Sequence, residues 1–171
     1  MSKNNLLNEF SFSQDKKNKI NDYIFSEYQK NISIKKLIRN KSKIIDELVK
    51  KSWLKNNLKL KNISLIAVGG YGRSELFPQS DIDIMILVDS YNNKNVLKNL
   101  ENFIADIWHL KTSVGHSVRT VNDCIKAINE EVTIYTNILD SRLITGDKIL
   151  YNNLLSTIKI KKIWSKKNIN Y

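Results

Sequence analysis

The sequence predicts an α+β fold, a small mixed sheet with flanking helices, preceded by N-terminal helices. Three features carry this expectation. Up to about residue 58, apolar residues recur at three- and four-residue steps, the period of an amphipathic helix. The period then gives way to apolar runs of strand length. The first two of these runs are joined by a glycine-rich turn that leads to a pair of aspartates.

Taken in order, helical spacing runs from Phe12 to Lys30 through Ile20, Tyr23 and Ile24, and from Ile34 to Leu54 through Leu37, Ile38, Ile44, Ile45, Leu48 and Val49. Asn31 and Ser33 form the break and the N-cap between them. ISLIAV (63–68) has no polar alternation, as expected of a strand covered on both faces. A second strand at 80–88 puts Asp81 and Asp83 on one face and Ile82, Ile84 and Ile86 on the other. Asn93 to Leu110 is an amphipathic helix, SVGHSVRT (113–120) a third strand, and 121–129 and 130–140 are helical. A turn at Thr145-Gly146-Asp147 leads to a last helix near 147–157. The organisation is thus a helical region at 1–58, a core at 59–157 and a lysine-rich tail at 158–171 that carries no stop signal and is expected to be truncated.

Composition narrows the function classes. A chain of 171 residues suits one domain, or one domain with a helical attachment. No apolar run approaches the roughly 18 residues that span a bilayer, and the N-terminus lacks the order of a signal peptide. The lone Cys124 excludes an internal disulfide and a cysteine-based zinc cage, which makes a cytoplasmic location the expectation. The net charge is +11, but the 24 lysines are scattered and form no stripe interleaved with aromatics. This describes a basic surface that attracts anionic substrates rather than a dedicated nucleic-acid face. Against so many lysines, three of the four arginines stand out: Arg73, Arg119 and Arg142 lie beside GGYG, in VGHSVRT and in ILDSRLITGD. Only a planar guanidinium grips a phosphate or carboxylate at two points.

The chemistry concentrates in VGGYGRSELFPQSDID (68–83), which holds three of the five glycines and the only proline. Gly69 and Gly70 remove side chains where the backbone must approach a partner closely, and amides exposed at such a turn bind phosphate oxygens. Ser80 adds a hydroxyl to the same cradle. Residues two apart on a strand lie roughly 7 Å apart and point the same way, so Asp81 and Asp83 converge on one or two divalent ions. Mg²⁺ suits such an all-oxygen site completed by phosphates. Other nucleotide motifs are excluded. GGYGRS lacks the third glycine of a dinucleotide-binding turn, and the Walker A pattern is absent.

The GG…D-x-D arrangement resembles the polymerase-β-type nucleotidyltransferase superfamily. The fuller string resembles the start of the bifunctional PII uridylyltransferase/uridylyl-removing enzymes, as do VGHSVRTVNDC (114–124) and VTIYTNILDSRLITGD (132–147). The resemblance covers about Asp46 to Asp147. It implies that Gly69 and Gly70 hold the triphosphate of UTP and that Asp81 and Asp83, the catalytic pair, hold Mg²⁺ bridging to it. A tyrosine of a PII-type signalling protein then attacks the α-phosphate and expels pyrophosphate. Arg73 and Ser80 match nucleotide-binding positions, with Glu75 and Arg119 as support.

The sequence also departs from that pattern. The superfamily supplies a third carboxylate from another strand, yet SVGHSVRT has no acid. Glu101, Asp106 and Asp123 read as solvated helix or cap residues, Glu75 as a partner for Arg73, and His109 and His116 as structural. The family's HD hydrolase and two ACT domains have no counterpart here, so uridylyl removal and glutamine sensing are expected to be absent. Two other expectations compete: a remnant that binds nucleotide without turnover, and a basic module that binds or extends RNA.

Overall fold

In the computed structural model, residues 14–58, 61–109 and 113–160 are described. Two helices, α1 (Gln14–Gln29) and α2 (Ile34–Lys55), lead into β1 (Ile63–Ala67), the single-turn helix α3 (Gly69–Gly72) and β2 (Ile82–Val88). Helix α4 (Lys94–Trp108) crosses to β3 (Val114–Arg119), and α5 (Val121–Glu130) and α6 (Val132–Leu139) precede β4 (Arg142–Gly146) and α7 (Lys148–Ile160). The lysine-rich stretch after Ile160 and the helix start at Phe12 lie outside the described residues.

The four strands form one mixed sheet in the order β3-β2-β1-β4. β1 is antiparallel to both β2 and β4, and β2 is parallel to β3. Strand alternation splits the core in two. Ile82, Ile84, Ile86 and Val88 of β2 face α1, α2 and α4 with Leu65 and Ala67 of β1, around the fully buried Trp53 and Phe103. Met85 and Leu87 face the other way, with Ile66, onto Cys124 and Ile128 of α5, Ile138 of α6 and Leu154 of α7. Trp53 meets Phe103 edge-on at 5.1 Å, and truncating either to alanine would cost about 3–5 kcal/mol.

The helix ends follow the local sequence. Ser33 sits at the N-cap of α2, but its backbone carbonyl rather than its hydroxyl receives the first amides, those of Lys36 and Leu37. Thr120 and Asp123 form a reciprocal capping box at the start of α5, so Asp123 is a cap residue. Tyr91 and Thr120 donate to the Asp123 carboxylate and hold its pKa down at about 2.

One expectation needs correction. The sequence reading gives three strands, and Arg142–Gly146 is a fourth on the edge of the sheet. It is five residues long, pairs with no strand but β1, and is irregular where its register slips between Leu65 and Ile66, which erases the alternation that marks a strand. The turn that ends it is present: Gly146 has φ +108°, and a Cβ there would stand 2.4 Å from the Ile63 carbonyl oxygen. Among the described residues no helix is long and apolar enough to cross a membrane.

Candidate functional site

The glycine turn, the aspartates, the start of β3 and the end of α6 meet at one rim of the sheet. β1 stops at Ala67, and Val68 still donates its amide to the Asp83 carbonyl at 3.1 Å, so the turn starts level with the acid pair. Gly69 has φ +57°, a conformation that favours glycine. The first amides of so short a helix, those of Gly69, Gly70 and Tyr71, have no acceptor within it. A Cβ on Gly70 would meet its nearest neighbours only at ordinary contact distances of 3.7 and 3.9 Å, so internal packing does not demand glycine there.

The Asp83 carboxylate lies between two glycines. Asp83 pairs with Gly115 across the parallel ladder, and a Cβ on Gly115 would stand 2.3 Å from Asp83 Oδ1. On the other side, Asp83 Oδ2 lies 3.6 Å from where a Gly69 Cβ would be. No hydrogen-bond donor among the described residues reaches this carboxylate. Burial, and then the charge of neighbouring Asp81, raise the Asp83 pKa. Asp81 is exposed and lies just before β2, two residues from Asp83. A cation between the two acids would relieve both causes of that shift, and the all-oxygen donor set suits a hard divalent ion.

A second carboxylate fixes the turn itself. Arg142, opposite Ala67 at the start of β4, grips Asp46 of α2 at two points, each 2.8 Å, and its guanidinium lies 5.0 Å over the Tyr71 ring. Tyr71 donates its hydroxyl to Asp46 at 2.6 Å, and burial raises its pKa well above the ordinary tyrosine value. Helix α2 also holds the connection between turn and acids. The buried Lys41 Nζ donates to the carbonyls of Phe77 and Pro78, each at 2.7 Å, and burial lowers its pKa to about 8. Ser42 Oγ accepts the Leu76 amide at 3.3 Å.

Of the other expected site residues, Arg73 stays at the turn, its Nη2 3.9 Å from the position of a Gly70 Cβ, while Arg119 does not. Arg73 bonds Glu75 at 2.9 Å and Asp140, at the end of α6, at 2.7 Å, so Glu75 is its partner. Ser80 Oγ accepts the Phe77 amide at 3.1 Å and closes the turn before the acids. Arg119 is not brought to the rim. It pairs with Leu87 at the far end of β3, about 13 Å along the strand from Gly115. His116 packs edge-on against Trp108 at 5.5 Å. Asp106 is partly buried rather than merely solvated, and takes hydrogen bonds from Ser52, Lys55 and Asn56.

Four residues at or beside the rim escaped the sequence reading: Asp46, Gly115, Asn137 and Asp140. Asn137 Oδ1 lies 3.6 Å from the would-be Gly69 Cβ, and the Asp140 carbonyl oxygen 2.3 Å from that of Gly72, so α6 packs directly on the glycine turn. Two signals were available. A glycine inside a strand marks close approach, and Asn137 and Asp140 share one helical face at a spacing of three.

At this rim a glycine turn lies beside two carboxylates, one exposed and one half-buried, and residues 47–145 match the family model described as nucleotidyltransferase domain. The chain belongs to that family. Its relatives include the bifunctional uridylyltransferase/uridylyl-removing enzymes of Pseudomonas fluorescens, 35% identical over 136 residues, and of Haemophilus influenzae, 38% identical over 135. The corresponding enzyme of Hydrogenovibrio crunogenus is 36% identical over 139 residues. These alignments cover 79%, 78% and 80% of this chain but only 15%, 16% and 15% of the relatives' length.

Proposed function

We propose that this chain binds UTP with Mg²⁺ at the Gly69–Asp83 rim and transfers UMP to a tyrosine of a PII-type regulatory protein in the cytoplasm. The observation that carries this reading is the Asp83 carboxylate, laid between Gly69 and Gly115 without a hydrogen-bond donor among the described residues. That the relatives are uridylyltransferases supports uridine as the base. Asp81 and Asp83 are the residues that would hold Mg²⁺, which when bound offsets charge on the phosphates and orients them. The free amides of Gly69 and Gly70 face the triphosphate, and the Asp46–Tyr71–Arg142 cluster keeps the turn rigid while they do so. In the transfer, the tyrosine oxygen bonds the α-phosphorus as the α–β bridging bond breaks. Pyrophosphate leaves with the electron pair, and the phenolic proton passes to solvent.

The test is transfer of radiolabel from α-labelled UTP to a PII-type protein, with Asp81→Asn and Asp83→Asn as controls. Label in the acceptor with wild type, and in neither variant, is expected. Equal label in both variants contradicts the assignment. A second reading, nucleotide binding without turnover, draws on the lack, among the described residues, of any group of three His, Cys, Asp or Glu able to hold a metal ion. Mg²⁺-dependent UTP binding without transfer would favour it.

A further inference from the structure

We infer that Asn137 supplies a third side-chain oxygen to the cation site of Asp81 and Asp83, a neutral carboxamide in place of a third carboxylate. The inference rests on the proposed metal–nucleotide reading of the rim and extends it to a residue that reading does not use.

The space above Gly69 carries the argument. Because Gly69 has φ +57° and no side chain, the volume its Cβ would fill is open, and two oxygens border it: Asp83 Oδ2 and Asn137 Oδ1, each 3.6 Å from the Cβ position. Both oxygens therefore lie on the bare side of Gly69, and side-chain rotation can bring them to the roughly 3 Å separation of neighbouring oxygens around one Mg²⁺, with the ion outside the Cβ position. Both are electron-rich, the carboxylate by its charge and the amide by its dipole, and both approach the same bare face of Gly69. A cation near that face is attracted by both.

Asn137 is also available and well placed. It makes no hydrogen bond among the described residues, whereas the Thr133 hydroxyl one turn earlier donates to Glu131, and Asp140 accepts from Arg73. Its helix is fixed on the rim by the fully buried Ile138 and by the close approach of Gly72 to the Asp140 carbonyl oxygen. The carboxamide is therefore aimed by a packed helix rather than by a loop.

The charge count gives the consequence. Two carboxylates and an amide bring two negative charges, not three, so the protein alone holds the cation weakly and the phosphates of the nucleotide supply the missing charge. Metal and nucleotide should bind as a couple.

The experiment uses Mn²⁺ as an EPR-visible probe, titrated into the full chain with and without UTP. Wild type, Asp83→Asn, Asn137→Ala and Asn137→Asp are compared, and thermal midpoints monitor folding. Wild type should retain Mn²⁺ tightly only with UTP, and Asp83→Asn should lose that retention. Asn137→Ala should weaken it about tenfold, and Asn137→Asp should strengthen nucleotide-free Mn²⁺ binding about tenfold. That gain cannot come from damage to the fold. Loss in Asp83→Asn with both Asn137 variants matching wild type overturns the inference and leaves the metal site standing. Equal binding by Asp83→Asn and wild type, or no binding by wild type at all, overturns the metal site and the inference with it.

Discussion

Asp46 and Asp83 are both half-buried carboxylates beside the same glycine turn, yet their surroundings are opposite. Asp46 accepts one bond from Tyr71 and two from Arg142. Asp83 receives none from the described residues, lies against two glycines, and has its pKa raised by burial and by Asp81. A partly buried polar group left unsatisfied in an otherwise well-bonded region calls for an explanation. The difference separates a carboxylate that builds the fold from one held ready for a ligand. It also explains the two neighbourhoods: arginine and tyrosine surround the first, glycine and a free carboxamide the second.

The largest expected effect attacks the structural carboxylate. Arg142→Met leaves Asp46 without its main partner, and should cost about 3 kcal/mol, lowering the melting midpoint by about 6–12 °C in a chain of this size. A midpoint within 2 °C of wild type would show that the pair does not hold the turn. Gly115→Ala attacks the other carboxylate by sterics alone. Its Cβ would stand 2.3 Å from Asp83 Oδ1, the movable end of a side chain, so the fold should persist while the carboxylate is displaced. Calorimetry should then record Mg²⁺-dependent UTP binding about tenfold weaker, with stability changed by less than about 1 kcal/mol.

A smaller effect separates the two acids by sign. Asp83→Asn should leave stability unchanged or raise it by about 0.5–1 kcal/mol, because it removes a charge that the fold does not satisfy. Asp46→Asn should lower it. Denaturant unfolding of the two variants checks this, and a clear loss in Asp83→Asn would contradict the contrast.

The last prediction concerns pH. Because the folded state raises the Asp83 pKa, its contribution to stability is present below the ordinary carboxylate range and is lost as pH rises through the folded value. Protonation competes with cation binding, so Mg²⁺-dependent UTP affinity should fall on acidification at a pH above that of an ordinary carboxyl group. Asp123 is the counter-case. Its pKa is held down at about 2, so its contribution is present above the unfolded value and disappears as pH falls toward 2. Calorimetry and thermal unfolding across pH read both trends.

The same comparison shows what the sequence made legible. Period changes placed both N-terminal helices and three strands, because their apolar faces are regular and deeply buried. β4 was hidden because a short, irregular edge strand breaks the alternation it would have to display. Asp81 and Asp83 were readable from their spacing with the glycine turn, since that spacing is local. Asp46, Gly115 and Asn137 reach the rim only through tertiary packing, from α2, β3 and α6, and no local pattern encodes that meeting. Arg119 shows the converse: it is close in sequence to β3's rim residues, but strand direction carries it to the far end.

The central claim is that the acid pair and the glycine turn form one metal-dependent nucleotide site. Calorimetric titration of UTP, with ATP as comparator, into wild type and Asp81→Asn, each with and without Mg²⁺, tests it most directly. The account predicts UTP binding by wild type that needs Mg²⁺ and is lost in the variant. UTP binding of equal strength in both proteins, or none in a folded wild type, would contradict it.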